Sequence, residues 1–326
     1  MDLYDPALLA HVEEQRAHNA TLMAQTAAMA SVDTTSDAGL QWLRDAMAPG
    51  GLFGMTALEG AETREIPGPG GPIPIRILRP EAPDPPRGVY LHFHGGGMSL
   101  GSAAAMDGRN WPLAQACGMA VVSVEYRLAP EHPYPAGADD CEAAAMWLMA
   151  HAPAELGTDR LVVGGESAGA YFALLTMVRL RDRLGGPPPF LGADLCYGCY
   201  DLGGTPSATQ QVGKVPYARG DDANRRRYLP DRTREEARDP AVSPLWADLG
   251  QLPPCLVTVG TADWLLDDSL FLASRLAAAG TPVELAVYPE GPHGIEGCPT
   301  TMGHLARERI YAFLRGCATG HAEPLP

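Results

Sequence analysis

The chain has 326 residues, 46% of them hydrophobic and 19% charged, and 24 Lys and Arg stand against 39 Asp and Glu for a formal net charge of −15. That apolar content excludes a disordered chain, and so acidic a surface repels nucleic-acid backbones and anionic headgroups, which disfavours nucleic-acid and membrane-surface roles. The length fits two ordinary domains or one large α/β unit, and a surplus of glycine (37) and proline (31) has to be placed in turns or in a site.

In chain order, residues 5–30 read as an amphipathic helix, with Leu8, Leu9, Val12, Leu22, Met23 and Met29 as its apolar positions, and 37–47 as a second helical piece. Residues 50–71 are rich in glycine and proline, ending in the turn chemistry of Pro67-Gly68-Pro69-Gly70-Gly71. Strand and helix signals then alternate: strands at 74–78 and 88–93, a helix at 103–117, a strand at 119–124, and a helix at 138–150. A strand at 161–164, a helix at 168–184, and strands at 191–197, 255–259 and 283–288 follow, with helices at 265–279 and 300–314. Such alternation predicts an α/β fold with a mostly parallel central sheet flanked by helices. Residues 201–250 break the pattern, having no convincing strand but a charge run that includes Arg225, Arg226, Arg227, Arg232, Arg234, Glu235 and Glu236. A stretch of this kind reads as an insertion over one end of the sheet, and its charges as a solvated helix face, with an anion site as the alternative.

Seven cysteines at irregular spacing, several inside apolar runs, read as buried free thiols rather than a disulfide framework. Cys196 and Cys199 form a single C-x-x-C with neither a second pair nor a nearby histidine, so ordinary core cysteines are expected. The N-terminus Met1-Asp2-Leu3-Tyr4-Asp5 lacks the apolar stretch of a signal peptide, and no apolar run approaches the length of a membrane span. The expectation is a cytoplasmic protein without nucleic-acid or membrane partners, holding neither cofactor nor metal.

Gly165-Glu166-Ser167-Ala168-Gly169 matches G-x-S-x-G, which alone is weak evidence in so glycine-rich a chain. Its setting, between the apolar run Leu161-Val162-Val163 and a helical segment, is the strand–turn–helix that a nucleophile elbow needs to push a serine hydroxyl out above a sheet. A glycine-rich strand-to-helix turn with an incidental serine is the plainer reading. His94-Gly95-Gly96-Gly97 directly follows the strand at 88–93, and successive glycines leave backbone N–H groups free to converge on one oxyanion. A phosphate-binding turn is disfavoured because G-x-G-x-x-G fails here, and His92 with His94 lacks the further ligands of a metal site. A reactive serine needs a base and an orienting acid. Of the histidines that follow with enough chain between for an acid, His321 lies in the tail, His304 in a helical stretch, and His293 in a loop directly after a strand, where a base belongs. Asp263, in the loop after the strand at 255–259, is the expected acid, with Asp267 in reserve; Asp267 and Asp268 otherwise read as an exposed helix face.

Together, Phe93-His94-Gly95-Gly96-Gly97, Tyr126-Arg127-Leu128-Ala129-Pro130-Glu131, Gly165-Glu166-Ser167-Ala168-Gly169, Asp263-x-Leu265 and His293-Gly294 resemble the hormone-sensitive-lipase-like (bacterial family IV) carboxylesterases of the α/β-hydrolase superfamily. The resemblance spans about residues 73–316 and implies a catalytic triad of Ser167, Asp263 and His293 with an oxyanion hole from the N–H groups of Gly96, Gly97 and Ala168. It also implies a helical cap from residues 1–50 and a second segment at about 201–250, on a core covering 51–326, and homodimers. Three departures stand out: Glu166 where the family has Asp, Met98 where an aromatic often follows the glycines, and Trp264 where Pro follows the acid. Arg127 and Glu131 read as a buried ion pair bracing the loop, together with Glu166; Met98 and Tyr197 are pocket candidates on position alone, with core packing the plainer use.

The function expected is hydrolysis of short- to medium-chain carboxylic esters through an acyl-enzyme. An amidase, deacetylase, lactonase or carbamate hydrolase uses the same machinery, and a non-catalytic small-molecule receptor on this fold is the reading from another class.

Overall fold

The computed structural model describes residues 3–27, 32–210 and 220–320. Eight strands form one sheet in the order β1-β2-β4-β3-β5-β6-β7-β8. β1 (Glu62–Ile66), β2 (Ile73–Leu78) and β4 (Ala120–Val124) pair antiparallel in turn. β4, β3 (Val89–Phe93), β5 (Leu161–Glu166), β6 (Ala193–Cys196), β7 (Cys255–Gly260) and β8 (Val283–Tyr288) are parallel throughout. β3, β4 and β5 are buried at every position, which is why they read as unbroken apolar runs instead of alternating ones.

Helices cover both faces, and the strand pleat divides the core between them. Val89, Leu91 and Phe93 of β3 and Leu161 and Val163 of β5 pack on one side, against α4 (Ala136–Leu156), α5 (Ala168–Leu184) and Leu272 and Leu276 of α8 (Leu266–Ala278). Tyr90 and Val162, one residue out of phase, pack on the other side against α3 (Asp107–Cys117) and α9 (Thr301–Thr319), through Leu113, Ala114, Met302, Ala306 and Ile310. Part of the glycine surplus terminates helices, with Gly118, Gly157, Gly185 and Gly320 in the left-handed conformation at the ends of α3, α4, α5 and α9.

The N-terminal helical segment is a 3-10 helix at Pro6–His11 followed by α1 (Val12–Ala27); the end of the expected helix lies outside the described residues. α2 (Asp37–Met47) starts on the Ser36 cap, whose hydroxyl accepts from the Gly39 N–H. α4 runs beyond the expected end to Leu156 despite Pro153, and β1 lies within the stretch read from its glycines and prolines as turn. β1 is an edge strand with mostly exposed side chains, so its pattern carries little apolar signal. Residues 201–250 contain no strand among the described residues. They hold α6 (Pro206–Gln210), α7 (Gly220–Tyr228) and 3-10 helices at Glu236–Arg238 and Pro244–Trp246.

The charge run of that segment is not simply a solvated face. Arg225 donates to the Arg232 carbonyl at 3.0 Å, Arg227 to the Thr34 carbonyl at 2.6 Å and Arg234 to the Gly203 carbonyl at 3.1 Å. Arginine forks satisfy loop carbonyls that no helix or sheet serves. Asp267 and Asp268 also differ from the exposed face expected of them. Asp268 is fully buried, its Oδ1 accepting the N–H groups of Tyr200 and Asp201 and its Oδ2 the Thr205 hydroxyl, while Asp267 accepts the Ser207 N–H. Both carboxylates pin the start of the inserted segment to α8.

The junction of β5 and α5 lies against β3 with no room for side chains. A Cβ on Gly165 or Gly169 would stand 2.1 or 1.9 Å from the Phe93 carbonyl oxygen. Gly169→Ala is therefore expected to destabilise the protein by at least about 1–3 kcal/mol through overpacking. Thermal unfolding reads the effect, and an unchanged Tm would contradict the close approach.

Candidate active site

The candidate residues stand on loops at the C-terminal ends of the parallel strands. Ser167 follows β5 directly and adopts φ 54 and ψ −117, a backbone conformation that non-glycine residues rarely hold. The turn is anchored on both sides: the Ser167 N–H donates to the Cys196 carbonyl at 2.9 Å, and the Ser167 carbonyl accepts the Tyr171 N–H at 3.2 Å. Ser167 remains partly exposed while the strand before it and the helix after it are buried.

Asp263 and His293 come from the loops after β7 and β8. The His293 Nδ1–H donates to Asp263 Oδ2 at 2.9 Å, and Asp263 Oδ1 accepts the Leu265 N–H at 2.8 Å. The Asp263 side chain is completely covered, so both of its oxygens are committed to fixed donors. With Nδ1 protonated by this bond, the lone pair of the neutral ring lies on Nε2. Two aromatic rings enclose the imidazole: Trp264 stacks on it at 4.1 Å and 28°, and Tyr197 meets it edge-on at 4.7 Å and 64°.

The glycine loop after β3 turns sharply, Gly96 at φ 124 and Gly97 at φ 58, and the Gly96 carbonyl accepts the N–H groups of Ser99 and Leu100. Among the described residues, neither the Gly96 nor the Gly97 N–H has a hydrogen-bond acceptor. Ala168 opens α5, where first-turn N–H groups lack an intrahelical partner. His94 supports the loop from below. Its Nδ1–H donates to the Gly95 carbonyl at 2.8 Å, its ring stacks on Tyr126 at 4.1 Å, and burial lowers it to about 4, so it stays neutral near pH 7. α2 and α7 approach the same loop: Arg44 donates to the Ser99 and Ala129 carbonyls, and a Cβ on Gly97 would lie 2.1 Å from Asn224 Nδ2.

Sequence reasoning missed the ionic network under the site. Arg127 pairs with Asp140 at 2.8 Å and Glu131 with Arg44 at 2.7 Å, so the expected Arg127–Glu131 pair does not form. Glu166 instead binds His92 Nε2 at 3.0 Å and pairs with Arg109. Burial would raise Glu166, but Arg109 and His92 outweigh it and hold the carboxyl at about 2. No motif marked Arg109, because its partners lie on other strands and loops. Met98 is buried in the core at φ 60, Tyr197 lies against His293, His304 is exposed on α9, and His321 lies outside the described residues. Of the cysteines, Cys196 and Cys199 are buried and in no disulfide, and no metal-binding cluster occurs among the described residues. Surface cavities of about 550 Å³ beside Tyr134 and Arg179 and about 420 Å³ beside Trp246 and Phe271 lie apart from Ser167.

Because the folded-state value of Glu166 lies below its ordinary 4.5, the carboxylate contributes stability above about pH 4.5 that is lost as pH falls towards 2. Glu166→Gln is expected to melt below the wild type at pH 7, with the gap closing over that acid window. A gap independent of pH in melting curves would refute the assignment.

Comparison with known proteins places this geometry. A family model described as the alpha/beta hydrolase fold matches residues 90–296. The carboxylesterase NlhH of Mycobacterium tuberculosis is 38% identical over 240 residues, covering 68% of this chain and 70% of that protein. The esterase LipI of the same organism is 36% identical over 238 residues, covering 71% and 73%. A hyperthermophilic esterase from the archaeon Pyrobaculum calidifontis superposes with a TM-score of 0.73 at 28% identity, over 99% of this chain and all of that one. No described helix is long and apolar enough to cross a membrane. On this sheet order, these loops and these relatives, the chain belongs to the hormone-sensitive-lipase-like branch of the α/β-hydrolases.

Proposed function

We propose that the protein is a serine carboxylesterase that hydrolyses short- to medium-chain carboxylic esters through an acyl-enzyme. The observation that carries this reading is the 2.9 Å bond from His293 to buried Asp263, delivered to the strand ends where Ser167 is held partly exposed in a strained turn. The carboxylesterase and esterase relatives point the same way.

In this mechanism His293 Nε2 takes the Ser167 proton as Oγ attacks the ester carbonyl. The N–H groups of Gly96, Gly97 and Ala168 stabilise the oxyanion of the tetrahedral intermediate, and Asp263 holds the ring in the required tautomer and supports the imidazolium. Protonated His293 gives its proton to the departing alkoxide, leaving the acyl group on Ser167. Water then attacks the acyl-enzyme with His293 as base, and release of the acid restores the serine. α1, α2 and the segment at 201–250 act as the cap over these loops. A covered site with neutral backbone donors, in a chain of net charge −15, suits a small uncharged ester.

Ser167→Ala is expected to lower kcat for p-nitrophenyl acetate by about 10³-fold or more, and Asp263→Asn by up to about 10⁴-fold, without loss of fold by circular dichroism. Undiminished turnover in Ser167→Ala would overturn the assignment. Across p-nitrophenyl esters of increasing chain length, rates should peak at short to medium acyl groups, and a preference for emulsified long-chain esters would refute the substrate class.

A further inference from the structure

Arg109 of α3 reaches beneath the candidate site and contacts carboxylates from three separate elements. It pairs with Glu166 at the end of β5, lies with Nη2 3.8 Å from Asp194 of β6, and lies with Nε 3.5 Å from Glu296 in the turn after His293. Its side chain is only 17% exposed, and the three acids are buried. Glu166 immediately precedes Ser167. Glu296 accepts the Tyr197 hydroxyl, and the Tyr197 ring is the one that meets His293 edge-on. Tyr197 itself holds φ 38, with its N–H donated to the Thr258 carbonyl at 2.7 Å, so its ring direction is closely fixed. A continuous chain of contacts therefore runs from the residue before the serine, through Arg109, to the ring packed on the histidine.

We propose, on the serine-esterase reading above, that Arg109 is a positioning residue: it joins Glu166 to Glu296, fixes the nucleophile turn against the His293 loop, and balances the buried carboxylates of Glu166, Asp194 and Glu296. The charge around the cluster makes that balance necessary. On the strand side, Tyr90 donates to Asp194 and His92 binds Glu166, and burial pushes Asp194 up to about 6 despite Arg109. On the α9 side, Arg307 donates to the Glu296 backbone carbonyl and Tyr311 senses the Arg109 charge. Around His293 itself stand Asp263, bonded to Nδ1, and Glu290 in the preceding loop, which Arg16 of α1 pairs at 3.0 Å. Removing Arg109 would leave Glu166 and Glu296 without their shared cation, and unbalanced negative charge favours the protonated imidazole.

The test compares wild type, Arg109→Met, Arg109→Lys and Arg109→Met/Glu296→Gln by pH profiles of kcat/KM on p-nitrophenyl acetate. Arg109→Met is expected to lower kcat about tenfold or more with little change in KM, and to move the acid limb to higher pH. The added Glu296→Gln should bring the limb back towards its wild-type position. Arg109→Lys keeps the charge but loses the fork, so its limb should stay in place while kcat falls. If Arg109→Met does not fold, the Lys variant decides: full kcat or a displaced limb overturns the proposal. An unmoved acid limb in folded Arg109→Met overturns it also, since mere structural support would leave the limb where it is. Ser167→Ala and labelling by a fluorophosphonate, run in parallel, separate the two readings: persistent turnover without labelling rejects the esterase mechanism, whereas a labelled, Ser167-dependent enzyme with an unmoved limb rejects the Arg109 role alone.

Discussion

The rest of the site depends on one backbone constraint, the turn that carries Ser167 from a fully buried strand into the buried first turns of a helix within a single residue. A non-glycine residue at φ 54 and ψ −117 is intrinsically unfavourable, by about 1–3 kcal/mol, and persists only where its surroundings over-determine it. Here the surroundings do so on every side. Gly165 and Gly169 let β5 and α5 close onto the Phe93 carbonyl, and the Cys196 carbonyl of the neighbouring strand takes the Ser167 N–H. The Ala168 N–H is left at the start of α5, beside the turn it belongs to. The three elements of the elbow thus serve both the core and the site: the packing that buries α5 also presents the hydroxyl.

Much of this was legible in the sequence because it rests on local signals. The buried strands are short runs of Val, Leu and Ala, the αL glycines mark helix ends, and a histidine in a loop directly after a strand can only point to the strand-end face. α2, α5 and β8 appear at the expected boundaries, and Asp263 rather than Asp267 meets His293, since Asp267, in the first turn of α8, is taken by the Ser207 N–H. What could not be read was long-range and polar. β1 has little apolar pattern because it is an edge, and the arginines of residues 201–250 look like a solvated face until their carbonyl partners are known. Charge partners are a property of the folded surface, and the Arg127–Glu131 pair expected from adjacency gives way to Asp140 and Arg44, each supplied by a different helix.

The departures from the family pattern acquire physical content in the same way. Trp264, where the family carries proline, stacks an indole on the imidazole, so one residue covers a face of the His293 ring. Tyr197 meets the same ring edge-on, and the His293 side chain is left only partly exposed. On the proposed mechanism, a ring held this way loses little orientational freedom when it turns from base to acid, which is what two successive proton transfers on one nitrogen require.

Glu166 is the departure with the widest consequence. An extra methylene in place of the family's aspartate moves the carboxylate away from the turn and into the space between β3, α3 and β5, where His92 and Arg109 meet it. A buried carboxylate in such a place would be costly alone, and its stability depends on the cation being brought to it. That cation in turn attracts Asp194 and Glu296, so a substitution next to Ser167 draws the His293 loop into the same ionic cluster. Ser167 and His293 are separated by most of the second half of the chain, yet their orientations are tied through buried charge as well as through the sheet. A fold that supplies its candidate groups from independent strand-end loops gains rigidity from any such tie, and here the tie runs through a single arginine.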